Sequence, residues 1–144
     1  MRSLVVLAAI VSIAVAGCSK AEIQKNKISG QVKYNSQPVE KGEIRFIPKG
    51  DTKGPMASTA IANGNYVVNA AGGVPVGAHR VEIFAHVELP KPANAPPIAP
   101  TPRLQYIPDK YNTKSELEFV VEAGKASTAD FDLDGPPPKQ VTAK

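Results

Sequence analysis

The 144-residue chain has no tryptophan, two histidines and one cysteine, and aromatic residues make up only 6% of it. Each shortage excludes something. A single cysteine cannot form an internal disulfide, so any domain here holds together through its core, for which on the order of 100 residues suffices. The scarcity of aromatics leaves little for the exposed stacking platforms that bind carbohydrate. Neither charge sign dominates: the formal net charge is +4, and the basic residues are scattered. Nucleic-acid binding wants a basic patch or stripe, so a solvated mixed-charge surface is the expectation. After the N-terminal segment no stretch shows a helical apolar period. The 14 prolines and 11 glycines, by contrast, point to many turns and few helices.

The one long apolar run lies at the N-terminus. Met1-Arg2-Ser3 supplies a positive charge, and Leu4 to Ala16 is apolar except for Ser12. That run is too short for a transmembrane helix of about 20 residues and suits a signal peptide. Small residues Ala14, Ala16 and Gly17 lead directly into Cys18. Val15-Ala16-Gly17-Cys18 resembles the bacterial lipobox, with Val15 where the pattern prefers leucine. The resemblance implies cleavage between Gly17 and Cys18, a diacylglycerol thioether on Cys18 and acylation of the new amino group. Two or three acyl chains give stable anchoring where one is marginal. Residues 1–17 are then a lipoprotein signal peptide, and the membrane is the first partner, held through acyl chains on Cys18. The alternative is a structural cysteine behind an ordinary signal. Ser19, being other than aspartate, resembles the sorting signal that favours the outer over the inner membrane in diderm bacteria. The polar residues that follow read as a lipidated tether, 18–27, with a reach of about 15–20 Å. Lys20, Lys25 and Lys27 offer weak attraction to anionic head groups; a merely solvated linker explains them equally well. Arg2 is the only charge before Cys18, so the rest of the chain keeps 16 of the 17 basic residues against all 13 acidic ones, net +3.

From Ile28 onward the pattern is strands and turns. Ile28, Gly30, Val32 and Tyr34 alternate with polar residues, as in a half-buried strand. Asn35 to Pro38 is a turn cluster. Glu43 to Pro48 is a strand with Ile44 and Phe46 inward, and Lys49 to Pro55 a polar loop. Asn63-Gly64 marks a tight hairpin between Ala57–Ala62 and Asn65–Asn69. After a loop, Ala71–Gly77, the longest strand runs from Ala78 to Val87, with Val81, Ile83, Ala85 and Val87 on one side. Glu88 to Pro108 carries Pro90, Pro92, Pro96, Pro97, Pro100 and Pro102 before it ends, so no inner strand can run there. An extended, partly polyproline loop is expected, and a loop this long is functional or disordered. Tyr106 to Asn112 reads as an ordered turn. Strands follow at Glu116–Glu122, with Leu117, Phe119 and Val121 inward, and at Thr128–Asp134, with Ala129, Phe131 and Leu133 inward. A flexible tail, 135–144, begins at Gly135. About seven strands at regular spacing predict an all-β domain over 28–134, an antiparallel, Ig-like β-sandwich with Greek-key wiring.

Three stretches carry a further resemblance: Gly30-Gln31-Val32 through Gly42-Glu43-Ile44-Arg45-Phe46-Ile47-Pro48, then Gly64-Asn65-Tyr66, then Pro108-Asp109-Lys110-Tyr111-Asn112 with Ser115-Glu116-Leu117. Together they look like the carboxypeptidase-regulatory-like, transthyretin-like lipoproteins of planctomycete-type bacteria. That resemblance covers most of Ile28 to Leu133 and implies a seven-strand prealbumin-like sandwich. It implies no catalytic activity. The insert before Pro108 has no counterpart in the pattern.

Candidate sites are few. His79 and His86 are seven apart on one predicted strand, hence on opposite faces, and cannot share a metal. Nothing near them suggests nucleophilic catalysis. Transthyretin-like hydrolases end in a Tyr-Arg-Gly-Ser-type tail, whereas this chain ends Val141-Thr142-Ala143-Lys144. No enzyme activity, cofactor or metal site is therefore expected. Asp130, Asp132 and Asp134 share one face at about 7 Å spacing; a weak Ca²⁺ site competes there with a charged face that deters aggregation, and the second is preferred. The function expected is a structural or protein-interaction module in the bacterial cell envelope, in the periplasm or at the cell surface, with a protein partner docking on strand edges or on the proline-rich loop. The alternative is a small-ligand or glycan-binding module, which needs Tyr34, Tyr106 or Tyr111 exposed in a groove.

Overall fold

The computed structural model describes residues 22–137. The expected signal segment, Cys18 and residues 138–144 lie outside the described residues. Twelve strand segments and two 3-10 turns, Ala70–Gly72 and Asp109–Tyr111, make up the regular structure. No helix among the described residues is long and apolar enough to cross a membrane.

The frame is antiparallel. Strand β2 (Ile28–Tyr34) turns through Asn35-Ser36 into the short β3 (Gln37–Pro38), and β4 (Lys41–Pro48) follows. β5 (Ala57–Ala62) and β6 (Asn65–Val68) form the hairpin that Asn63-Gly64 announces; φ is 50° and 76° at these two residues, as a type I′ turn requires. The longest strand, β8 (Gly77–Glu88), pairs with β4 over Gly42↔Ala85 to Pro48↔His79. On its other edge β8 pairs with β10 (Glu118–Val121) near its start and with β9 (Arg103–Gln105) near its end. The order across the sheet is β10-β8-β4-β5-β6-β2.

One sheet bends back on itself. Ladder pairing between β5 and β6 is confined to Ala62↔Asn65 at the turn, so the two strands splay and the sheet curls there into a half-barrel. Phe46 on β4 shows the result. Its ring lies 6.2 Å from Tyr66 on β6 and 6.2 Å from Phe119 on β10, strands from the two arms of the curl. Ile28, Val32, Ile44, Ile61, Val68, Val81, Ile83, Val121 and Leu133 fill the space around it, all buried. The alternation read from the sequence at 28–34 and 44–46 is the alternation of burial; at 81–85 Val81, Ile83 and Ala85 are buried as expected, but Glu82, paired with Arg80 at 2.8 Å, is buried as well.

Three expectations need correction. The C-terminal segment is not antiparallel: β11 (Ser127–Thr128) and β12 (Phe131–Leu133) both run parallel to β2. Between them the ladder is interrupted, and the Asp130 carboxylate accepts the Gln31 N–H at 2.8 Å in place of a backbone carbonyl. The proline-rich stretch 88–108 is not loop throughout. Arg103, Leu104 and Gln105, free of proline, pair with His86–Glu88 as an edge strand, and the Leu89 N–H donates to the Pro102 carbonyl at 2.8 Å to close the loop's neck. The tether does not run free to residue 27. β1 (Lys25–Asn26) pairs with β7 (Val74–Pro75) as a separate two-stranded ribbon, and Gln24 accepts the Val76 N–H at 2.9 Å.

Strand directions give the domain two distinct ends. β8 runs from Gly77, beside Thr52 and Ile23, to Glu88, beside Tyr34 and Tyr106. Its twelve residues span about 36 Å. The N-terminal segment therefore enters at one end. The Asn35-Ser36 turn and the proline-rich loop leave from the other.

Candidate functional site

At the end far from residue 22, a groove of about 550 Å³ opens between the end of β2, the start of β4 and the end of β8. Tyr34 and Tyr106 form its floor, with Gln37, Glu40 and His86 among the polar residues on its walls. The two tyrosine rings meet edge to face at 5.5 Å, an arrangement that fixes both.

Their hydroxyls do different work. Tyr34 donates to the Pro136 carbonyl at 2.6 Å, so its polar end is spent inside the domain. The Tyr106 hydroxyl makes no hydrogen bond among the described residues, its backbone N–H donating to the Ala85 carbonyl at 3.1 Å, and leaves a donor in the groove. Burial pushes both hydroxyls above their ordinary value, and Glu40 adds to the effect at Tyr106. Both are therefore neutral donors at physiological pH. Tyr111 does not line the groove: it lies behind, under the Lys110 ammonium at 4.6 Å, and accepts the Asp134 N–H at 3.1 Å.

The local sequence explains this geometry. The β2–β3 connection is a two-residue hairpin with φ of 49° at Asn35 and 64° at Ser36, a left-handed pair that usually recruits glycine. A side-chain latch holds it. Asn35 donates through Nδ2 to the Gly135 carbonyl at 2.9 Å, and its Oδ1 accepts the Gly135 N–H at 3.0 Å. Gly135 lies against the Tyr34 hydroxyl, with Pro108 close by, and a Cβ there would collide with both. The chain after β12 is thus drawn across the end of β2, and Pro137 reaches the groove wall.

Below the floor, Asn112 closes the turn that carries Tyr106. It is buried, donates to the Ile107 carbonyl at 3.0 Å and accepts the Thr113 N–H at 2.6 Å. Ser115, also buried, donates to the Val81 carbonyl and accepts the Leu117 N–H at 3.2 Å. The Pro108–Asn112 and Ser115–Leu117 stretches are therefore structural locks.

The two histidines are separated as their spacing requires. His86 is exposed on the groove wall, whereas His79 is buried in the core. The His79 Nδ1–H donates to the Gly77 carbonyl at 3.0 Å, which assigns the lone pair to Nε2, and Nε2 has no partner. Burial pushes this imidazole below its ordinary value, partly offset by the Gly77 bond. The aspartates of the C-terminal face are exposed, with Asp130 engaged by Gln31. Among the described residues no three acidic, histidine or cysteine side chains gather as metal ligands do.

Sequence reasoning named Tyr34 and Tyr106 but missed the rest of the groove. Asn35, Gln37, Glu40, Lys41 and Glu88 carry no pattern that separates groove lining from turn surface. The Lys41–Glu88 pair, at 3.6 Å and largely exposed, contributes little to stability. No protein-family model, characterised protein or solved structure matches this chain.

Proposed function

We propose that the protein is a lipid-anchored envelope lipoprotein whose β-domain presents a partner-binding surface at the end away from the membrane. One observation carries the reading: the segment leading from Cys18 enters the half-barrel at one end, and the groove and the proline-rich loop occupy the other. Anchoring at Cys18 after cleavage of residues 1–17 places the domain next to a bilayer, the outer membrane in preference to the inner. The all-β curl, with Phe46 at its centre, supports assignment to the transthyretin-like, carboxypeptidase-regulatory-like sandwiches that the sequence resembles.

The loop supports a protein partner. Residues 89–102 contain two tight turns, closed by Ala95 N–H to Pro92 and Ala99 N–H to Pro96, each at 2.9 Å. Ile98 is 94% exposed on this loop. A proline-stiffened loop loses little freedom on binding, and an exposed isoleucine supplies an apolar anchor. Glycan binding is favoured less, because the Tyr34 hydroxyl is engaged internally and its ring is buried. The reading includes no catalytic step.

A photo-crosslinking residue placed at Ile98 or His86 in cells tests it, against a control at Asp132. The expected result is one discrete protein adduct from positions 98 and 86 and none from 132. Equal labelling at all three positions, or none anywhere, contradicts the proposal.

A further inference from the structure

The exposed large apolar side chains are not spread evenly over the domain. There are five among the described residues: Ile23 at 42% exposure, Met56 at 50%, Val67, Val120 at 62% and Ile98. Ile98 belongs to the far loop. The other four lie in the half nearest the tether. Ile23 packs beside Gly54 and Pro75, since a Cβ on Gly54 would meet both, and Met56 follows two residues later. Val120 is paired with Ala78 and Val67 with Ser29, near the starts of β8 and β2. Ile23, Val76 and Ala78 also line a shallow groove at this end, with the Lys49–Lys53 loop as its opposite wall.

We propose that this end is a foot that rests on the lipid bilayer and sets the domain upright. The inference depends on acylation of Cys18. Ile23 is the fifth residue after Cys18, so its Cα lies at most about 18 Å from that of the anchored cysteine. A surface held that close meets the membrane at high effective concentration, and a modest apolar contact is enough to keep it there. Ile23 and Met56 enter the boundary between head groups and acyl chains.

Charge has a minor part in this contact. Lys49 is paired with Glu118, and Lys25 donates to the Ala71 carbonyl at 3.0 Å. That carbonyl is neutral, so Lys25, Lys27, Lys53 and Lys125 at this end stand against Glu22, Asp51 and Glu122, a net single positive charge. The contact is therefore apolar in origin and insensitive to salt. It directs the groove and the proline-rich loop away from the bilayer by the length of β8.

The chain makes the test clean, because its only cysteine is consumed by the lipid. The acylated protein is reconstituted into vesicles of phosphatidylethanolamine and phosphatidylglycerol, with one new cysteine, Met56→Cys or Ile98→Cys, carrying an environment-sensitive fluorophore. Doxyl-labelled lipids are expected to quench the label at 56 about threefold more than the label at 98, at low and high salt alike. A label at Asp51→Cys is expected to lose about two thirds of its quenching when Ile23→Ser and Met56→Ser are combined. Protein that floats with the vesicles but shows no quenching at 56 overturns the foot and leaves the anchor standing. Equal quenching at 56 and 98 shows a domain lying flat and also overturns it. Protein that recovers no acyl mass and does not float overturns both proposals.

Discussion

At the tether end the chain is closed by backbone. β1 and β7 pair directly, and Gly73 brings its Cα against the Asn26 carbonyl with φ 99° and ψ −150°. At the far end side-chain closures join the backbone ones, which include Asn35 N–H to the Leu133 carbonyl at 2.8 Å: Asn35 grips Gly135, Tyr34 holds Pro136, and Asn112 ties its own turn. Backbone pairing around a glycine in a region that other residues hardly enter is all or nothing. Side-chain hydrogen bonds contribute about 1 kcal/mol each and can be remade with a partner. The β1–β7 closure is thus built to stay shut, and the segment after β12 at the groove end is held by contacts that binding can exchange.

The largest break in this contrast is Gly73→Ala. The new Cβ collides with the Asn26 carbonyl, and the backbone conformation is one that essentially only glycine adopts. A loss of about 3 kcal/mol or more is expected in urea unfolding. Next comes the pH response of His79, also toward the tether end. Its folded-state value lies below the unfolded value of about 6.5, so the unfolded chain binds the proton more readily. Stability is then full above about pH 6.5 and declines as pH falls below it toward the folded value. Thermal melts across that window should show the decline, and His79→Leu should remove that component of it.

Changes at the far end are smaller. Tyr34→Phe removes the bond to Pro136, costs about 1 kcal/mol and should raise amide exchange at Gly135, whose N–H is held by Asn35, while leaving β8 protected. Smallest, and opposite in sign, is Ser36→Gly. It relieves a left-handed serine and should raise stability by about 0.5 kcal/mol in the same urea titration. A Gly73→Ala variant that unfolds like the unsubstituted protein, beside a Tyr34→Phe variant that fails to fold, would reverse the contrast.

Much of the frame was legible in the residues, and the reasons are local. Alternation at Ile28-Val32-Tyr34 and Val81-Ile83-Ala85 marks a buried face, though it does not foretell the burial of Glu82, and Asn63-Gly64 names its own turn type. What was missed has no period to detect. Two-residue β1 and β7 are too short to alternate, and their pairing depends on Gly73. The turn at Asn35 to Pro38 was legible but not its two-residue form, which lacks the usual glycine because a hydrogen-bond latch 100 residues away holds it. β9 hides between Pro102 and Pro108, where three residues without proline suffice for an edge. The parallel direction of β11 and β12 follows from where the turn after β10 delivers the chain. The groove was legible only through its tyrosines, because its polar lining comes from three strand ends that meet in space alone.

A lipid anchor at Cys18 would show in the intact mass of the protein extracted from its native membrane. The expected species begins at Cys18 and carries diacylglycerol and acyl mass, and a Cys18→Ala variant should lose this mass and leave the membrane. An unmodified chain, cleaved elsewhere and found free in the soluble fraction, would contradict it.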